Sequence, residues 1–185
     1  MRYSTLVLSL LFFFCIAIRA QDPKRVEKSQ FVPVPREIAL PVIVFQPDCP
    51  IEFEKVERLA GLAGGGTSAY RLRNRSSKAV RSFTIAYLFA DGISGEWSWG
   101  GNSGPVAPGE LVPTLAGAND QEVIPLTEGL REKLDLRGPM KGVIFYMAKR
   151  VEFAYGSVYA DETAYKALAG YLKSLGDRAD SVNRR

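Results

Sequence analysis

The chain has 185 residues, with 24 Lys and Arg against 20 Asp and Glu, two cysteines and no histidine. A formal charge of +4 is too small to make nucleic acid or an anionic membrane surface an expected partner. The lack of histidine excludes Ser-His-Asp and Cys-His catalysis and histidine-ligated zinc, but leaves carboxylate pairs and Ser-Lys dyads open.

The first segment has the three-part layout of a secretory signal peptide. Arg2 gives a basic start, Leu6 to Ile18 form an apolar run, and Ile18-Arg19-Ala20 offers a small-residue exit before Gln21. The run is 13 residues long, short of the ~20 that cross a bilayer. Residues 1–20 are therefore expected to be a signal peptide, and the rest a secreted or periplasmic chain without a transmembrane segment. Its removal leaves 165 residues, and 22 basic against 20 acidic groups give +2. That length fits one domain with a core large enough to need no staples. Cys15 departs with the signal segment, so Cys49 has no intramolecular partner; it is either buried like a small hydrophobe, which is expected, or joined to a second chain. A lipid on Cys15 is rejected because Phe13 and Phe14 are bulky where small residues belong.

Residues 21–41 are polar and carry Pro23, Pro33, Pro35 and Pro41, which reads as a linker or extended lead-in, with the domain running from Val42 to Asp177. Val42 to Phe45 reads as a β-type run ending at the turn Gln46-Pro47-Asp48-Cys49-Pro50, and Ile51 to Leu59 as a half-buried strand. In the latter, Ile51, Phe53, Lys55 and Glu57 alternate with Glu52, Glu54, Val56 and Arg58, an imperfect inner face. Gly61 to Thr67 is a glycine-rich loop. It lacks the lysine and following helix of a phosphate loop, so an inter-strand connection is expected.

Ser68 to Asn74 and Val80 to Asp91 read as an antiparallel pair joined by Arg75-Ser76-Ser77-Lys78. The basic cluster Arg71, Arg73, Arg75, Lys78 and Arg81 is then the wet face and turn of a hairpin. Asn74-Arg75-Ser76 fits the glycosylation rule at an exposed turn. Gly92 to Pro113 is a long Gly- and Pro-rich stretch, Glu122 to Leu126 a further strand, and Thr127 to Leu134 a short helix capped by Thr127 with Leu130 and Leu134 inward. Val143 to Phe153 alternates for eleven residues but loses its apolar faces at Lys149 and Arg150, so the strand is expected either to leave the core there or to bend at a bulge. Ala154 to Ser157 turns the chain into Val158-Tyr159. Ala164, Tyr165, Leu168, Tyr171, Leu172 and Leu175 then recur at helical spacing, giving a helix over about 161–175 with Asp161 as N-cap and Gly176 as stop, and a frayed tail over 178–185. Its Tyr165/Leu168/Leu172/Leu175 stripe is expected to pack on the protein's own sheet.

The loop Asp91 to Gly104 carries the candidate ligand or partner surface: Trp97, Trp99, Asn102 and Glu96. Two tryptophans two residues apart project from one face of an extended backbone, where indoles stack on sugar rings while Asn102 and Glu96 bond hydroxyls. The competing reading has the tryptophans capping the open end of the core. Asp91 and Glu96 read as turn formers rather than calcium ligands, and Glu52 with Glu54 as the wet side of a strand rather than a hydrolytic pair.

Tyr70 to Gly92, YRLRNRSSKAVRSFTIAYLFADG, resembles bacterial Ig-like modules of the FxLYD type. There a strand ends in Asn (here Asn74), a Ser/Lys turn follows (Ser76, Ser77, Lys78), and the next strand ends in a Leu-aromatic-Asp-Gly element (Leu88, Phe89, Asp91, Gly92). Ala90 interrupts that last element, and Pro108-Gly109-Glu110 matches the turn before the following strand. The resemblance implies an extracytoplasmic sandwich without an enzymatic site, and supplies no functional residues. The fold expected is mainly β, an antiparallel Ig-like β-sandwich with one C-terminal α-helix. The function expected is non-catalytic binding of an envelope or extracellular protein partner, with no metal or cofactor. The alternative is a carbohydrate-binding module that holds polysaccharide on Trp97 and Trp99, and a carboxylate hydrolase ranks below both.

Overall fold

A computed structural model of the chain describes residues 29–90, 92–100, 104–112 and 121–183. The expected signal peptide, Asp91, Asn102 and the last two residues of the expected frayed tail lie outside the described residues.

Two sheets face each other. The first contains β1 (Ser29–Pro33), β3 (Ile51–Gly61), β4 (Gly66–Asn74), β7 (Leu111–Val112) and β8 (Gln121–Val123), in the order β7-β4-β3-β1-β8. The second runs β10-β9-β5-β6, built from β5 (Val80–Phe89), β6 (Ser94–Trp99), β9 (Gly142–Phe153) and β10 (Val158–Ala160), with β2 (Ala39–Ile43) also paired to β9. Helix α1 (Glu128–Lys133) seals a small cluster around Val32, Ile38 and Leu136, and helix α2 (Glu162–Asn183) lies on the outer face of the second sheet. This is a β-sandwich with a C-terminal helix, as the alternation of the strands predicts. The sheets are mixed rather than purely antiparallel, because β1–β8 and β2–β9 pair in parallel.

The period of two decides which side chains meet. On β5, Phe83 and Ile85 enter the inter-sheet core, while Ala86 and Leu88 face α2. On β9, Ile144, Tyr146 and Ala148 point inward; the register then slips between Thr84 and Ile85 of β5, leaving Lys149 as the extra residue, so Val151 and Phe153 return to the core. The bulge foreseen at Lys149 and Arg150 is therefore present, and it bends the strand without removing it from the core. A second slip between Phe53 and Lys55 puts Val56 in phase with Ile51 and turns Glu54 outward, where it pairs with Arg71 (3.0 Å) and Arg73 (2.6 Å). The imperfect inner face of this strand is that bulge.

Four expectations are corrected. The sheets do not wait for Val42: the described part of the proline-rich lead-in, from Ser29 on, already supplies β1 and β2. Pro41 is tolerated because β2 sits on an edge, and Pro33 because it lies past the residues of β1 that pair with β8. Second, β4 and β5 do not form a hairpin; β4 pairs with β3 and β7, and β5 with β6 and β9, so residues 75–79 arch from one sheet to the other. Third, the Gly-rich stretch contains a strand, β6, where Gly95 leaves room for the Tyr87 ring that a Cβ would strike. Last, α2 continues through Gly176 to Asn183, so most of the expected frayed tail is helical. A glycine costs a helix interior ~1 kcal/mol but ends it only where the chain turns left-handed, and no proline follows to force that. The Asp161 cap is in place, its Oδ1 accepting from Ala164 N–H at 3.2 Å, and so is the Thr127 cap of α1.

Candidate binding site

Trp97 and Trp99 do project from one face of β6, and that face is the inner one. Trp97 stacks on Tyr70 of the opposite sheet, with centroids 5.1 Å apart, and Trp99 stacks on Phe83 at 5.3 Å. Each indole thus has one face on an internal ring, and both pack against the core while remaining half-buried. Glu96 points to the other side of the sheet, where its carboxylate accepts from Lys149 Nζ at 2.7 Å. The structure therefore commits the Glu96 carboxylate to Lys149, although Glu96 and Trp97 both line a small cleft beside Arg58. Asn102, the fourth candidate, lies outside the described residues. The tryptophans cap the core, as the competing reading of the loop has it.

The arch between the sheets builds a concave surface. Asn74 ends β4 with its side chain 0% exposed. Its Oδ1 accepts from Ser76 N–H (3.0 Å) and Ser76 Oγ (2.7 Å), and its Nδ2 donates to Lys78 O (2.8 Å) and Val106 O (2.9 Å). This Asx turn folds the chain over the open end of the sandwich. Asn74 is thus no exposed glycan acceptor, since its amide nitrogen is buried and doubly bonded. The arch carries Arg75, Ser76, Ser77 and Lys78 over a cavity of about 430 Å³ floored by Pro47, Cys49, Pro50 and Phe153, with Asp48 and Tyr159 also in its wall. Lys78 Nζ sits 5.4 Å from the Phe153 ring centroid, and Arg75 donates a long bond (3.4 Å) to Pro47 O. Among the described residues neither cation pairs with a carboxylate. The basic cluster is thereby split: Arg71 and Arg73 share the one carboxylate of Glu54, whereas Arg75 and Lys78 share one pocket. Sequence reasoning missed this pair because a hairpin turn was expected. The usable signal was Asn74 followed two residues later by serine, an Asx-turn pattern.

Behind the pocket lies a polar seam. The Gln46 side chain pairs with the backbone of Ala148 as a strand residue would, donating from Nε2 to Ala148 O (3.0 Å) and accepting at Oε1 from Ala148 N–H (2.8 Å). It fills the gap on one edge of β9 between β2 and β10, and Nε2 also reaches Asp161 Oδ2 at 2.9 Å. Cys49 is 4% exposed and donates to Ile51 O at 3.1 Å, and burial pushes its thiol up to about 11. A thiol so buried and so seldom ionised is a poor nucleophile. Cys49 in the folded chain is expected to resist a disulfide reagent at neutral pH and to react fully once urea exposes it, as thiol-release absorbance will show.

Burial also raises the phenols of Tyr70, Tyr146 and Tyr159 above the usual tyrosine range. A folded-state value above the unfolded one gives stability that is complete below the unfolded value and lost as pH rises. The melting temperature is therefore expected to hold up to about pH 10 and to fall steeply beyond it, in step with phenolate absorbance. A flat profile through that range would show these phenols to be freely ionisable.

No protein-family model matches the chain, no curated protein is similar to it, and no solved structure matches its fold.

Proposed function

We propose that the chain is an exported, non-catalytic binding domain that engages a protein partner at the cell envelope through the pocket beneath the 75–78 arch. The observation that carries this reading is the pocket itself: an apolar floor, hydroxyls on its rim, and two cations that, among the described residues, form no ion pair even with Asp48 in the wall. Such a surface suits a partner segment that pairs an acidic group with an apolar side chain. Its surroundings agree. Phe45 is 85% and Tyr155 90% exposed, and each lies two residues along the chain from a pocket residue, Pro47 and Phe153 respectively. Single exposed apolar residues are ordinary, but aromatics next to a basic pocket are what interfaces enrich. The polysaccharide reading through Trp97 and Trp99 is less well supported, because each indole already stacks inside the sandwich.

The test is affinity capture from an envelope fraction with the chain and with its Arg75→Glu/Lys78→Glu variant. A discrete partner held by the first and released by the second, at equal melting temperature, is expected. Equal capture by both would overturn the reading.

A further inference from the structure

A second site opens at the far side of the same inter-sheet space. Arg58 lies on the inner face of β3, in register with Ser68 of β4, so its guanidinium lines a cleft at the gap between the sheets. It is half-buried, stacked over the Phe89 ring at 5.8 Å, and close above Gly66, where a Cβ would meet its Nη2 at 2.9 Å. The guanidinium makes one hydrogen bond among the described residues, a long one of 3.4 Å to Ser68 Oγ, and that hydroxyl is already 2.8 Å from Tyr146 Oη. No carboxylate of the described residues pairs with it. Glu96, the acid in the cleft lining, is held by Lys149 on the other side of the sheet. Arginine is seldom taken out of water without a partner, because its charge then faces only rings and hydroxyls.

The cleft in front of Arg58 measures about 100 Å³ and is walled by Thr67, Ser68, Tyr87 and Trp97. Roughly three water volumes of ~30 Å³ fit there, which is the space of a carboxylate and its first carbon atoms. We infer that this cleft binds a small monocarboxylate, with the planar guanidinium fork of Arg58 holding the two carboxylate oxygens and the neighbouring hydroxyls donating to them. The flat walls formed by Tyr87 and Trp97 favour a planar group over a tetrahedral one. This site is distinct from the arch pocket, and neither depends on the other.

Titration of the full chain with sodium acetate, then propionate, at constant ionic strength tests the inference. Indole emission reports on Trp97, and the Arg58 side-chain N–H resonance reports on the fork. A saturable change complete below about 100 mM is expected, retained in Lys55→Gln, absent in Arg58→Gln, and shifted to at least tenfold higher concentration in Arg58→Lys. If Arg58→Gln does not fold, the lysine variant decides, because it keeps the charge and loses the fork. The inference is overturned if neither acid gives a saturable response, if either folded Arg58 variant responds as the parent does, or if sulfate and chloride match acetate.

Discussion

Replacing Gln46 with leucine is expected to lower unfolding free energy by about 4 kcal/mol, since two buried backbone groups of Ala148 then lose their partners at roughly 1–3 kcal/mol each. Leucine keeps the volume nearly constant, so the loss is electrostatic and not a cavity effect. By sequence Gln46 is only the first residue of a polar turn, where a substitution costs within about 0.5 kcal/mol. In the structure it is the link that makes β2 and β10 one continuous edge of β9. Urea unfolding of the variant separates the two accounts: a clear drop in midpoint with an unchanged m-value identifies Gln46 as a strand surrogate.

The second large effect belongs to Asn74. Asn74→Ala is expected to cost about 3 kcal/mol, because it orphans the Ser76 N–H, weakens the hold on Lys78 and Val106, and leaves a small void. Asn74→Asp is more diagnostic. It keeps the acceptor for Ser76 but turns a carboxylate oxygen toward two carbonyls. Its folded-state acidity would be suppressed, so the aspartate is raised above its unfolded value. That variant should therefore recover stability as pH falls toward about 4 and lose it as pH rises. A hairpin with an exposed turn would show neither the loss nor the pH dependence, and thermal melts at neutral and acidic pH distinguish the two.

These residues show where the sequence was legible and where it was not. Strand alternation on β5 and β9, the caps at Thr127 and Asp161, the packing of Leu172 on the sheet, and the burial of Cys49 all follow from periods and local chemistry, and all are present. Even the bulge at Lys149 could be read, because a misplaced charge in an apolar phase has few explanations. What could not be read is which strands pair. Two strands joined by four polar residues look the same whether the chain folds back on itself or arches between sheets. The difference rests on one asparagine side chain bonding Val106, 32 residues further on. Likewise, Ser94 to Trp99 has the composition of a loop, and only the cross-strand partners Thr84, Ile85 and Ala86 make it a strand. The candidate site inherits this problem. The shared face of Trp97 and Trp99 was predictable, but its direction depends on which sheet receives β6. Arg58 shares the phase of Val56, but so do Glu52 and Glu54 in the sequence, and only the bulge at Glu54 leaves Arg58 as the charge on the inner face.

The most direct test of the proposed binding role is site-specific photo-crosslinking in the envelope fraction, with a crosslinking amino acid placed at Ser77 on the pocket rim and, separately, at Lys55 on the outer face of the first sheet. The pocket reading predicts one discrete partner adduct from position 77 that disappears in the Arg75→Glu/Lys78→Glu background, and none from position 55. No adduct from position 77, or the same adduct from both positions, would contradict it.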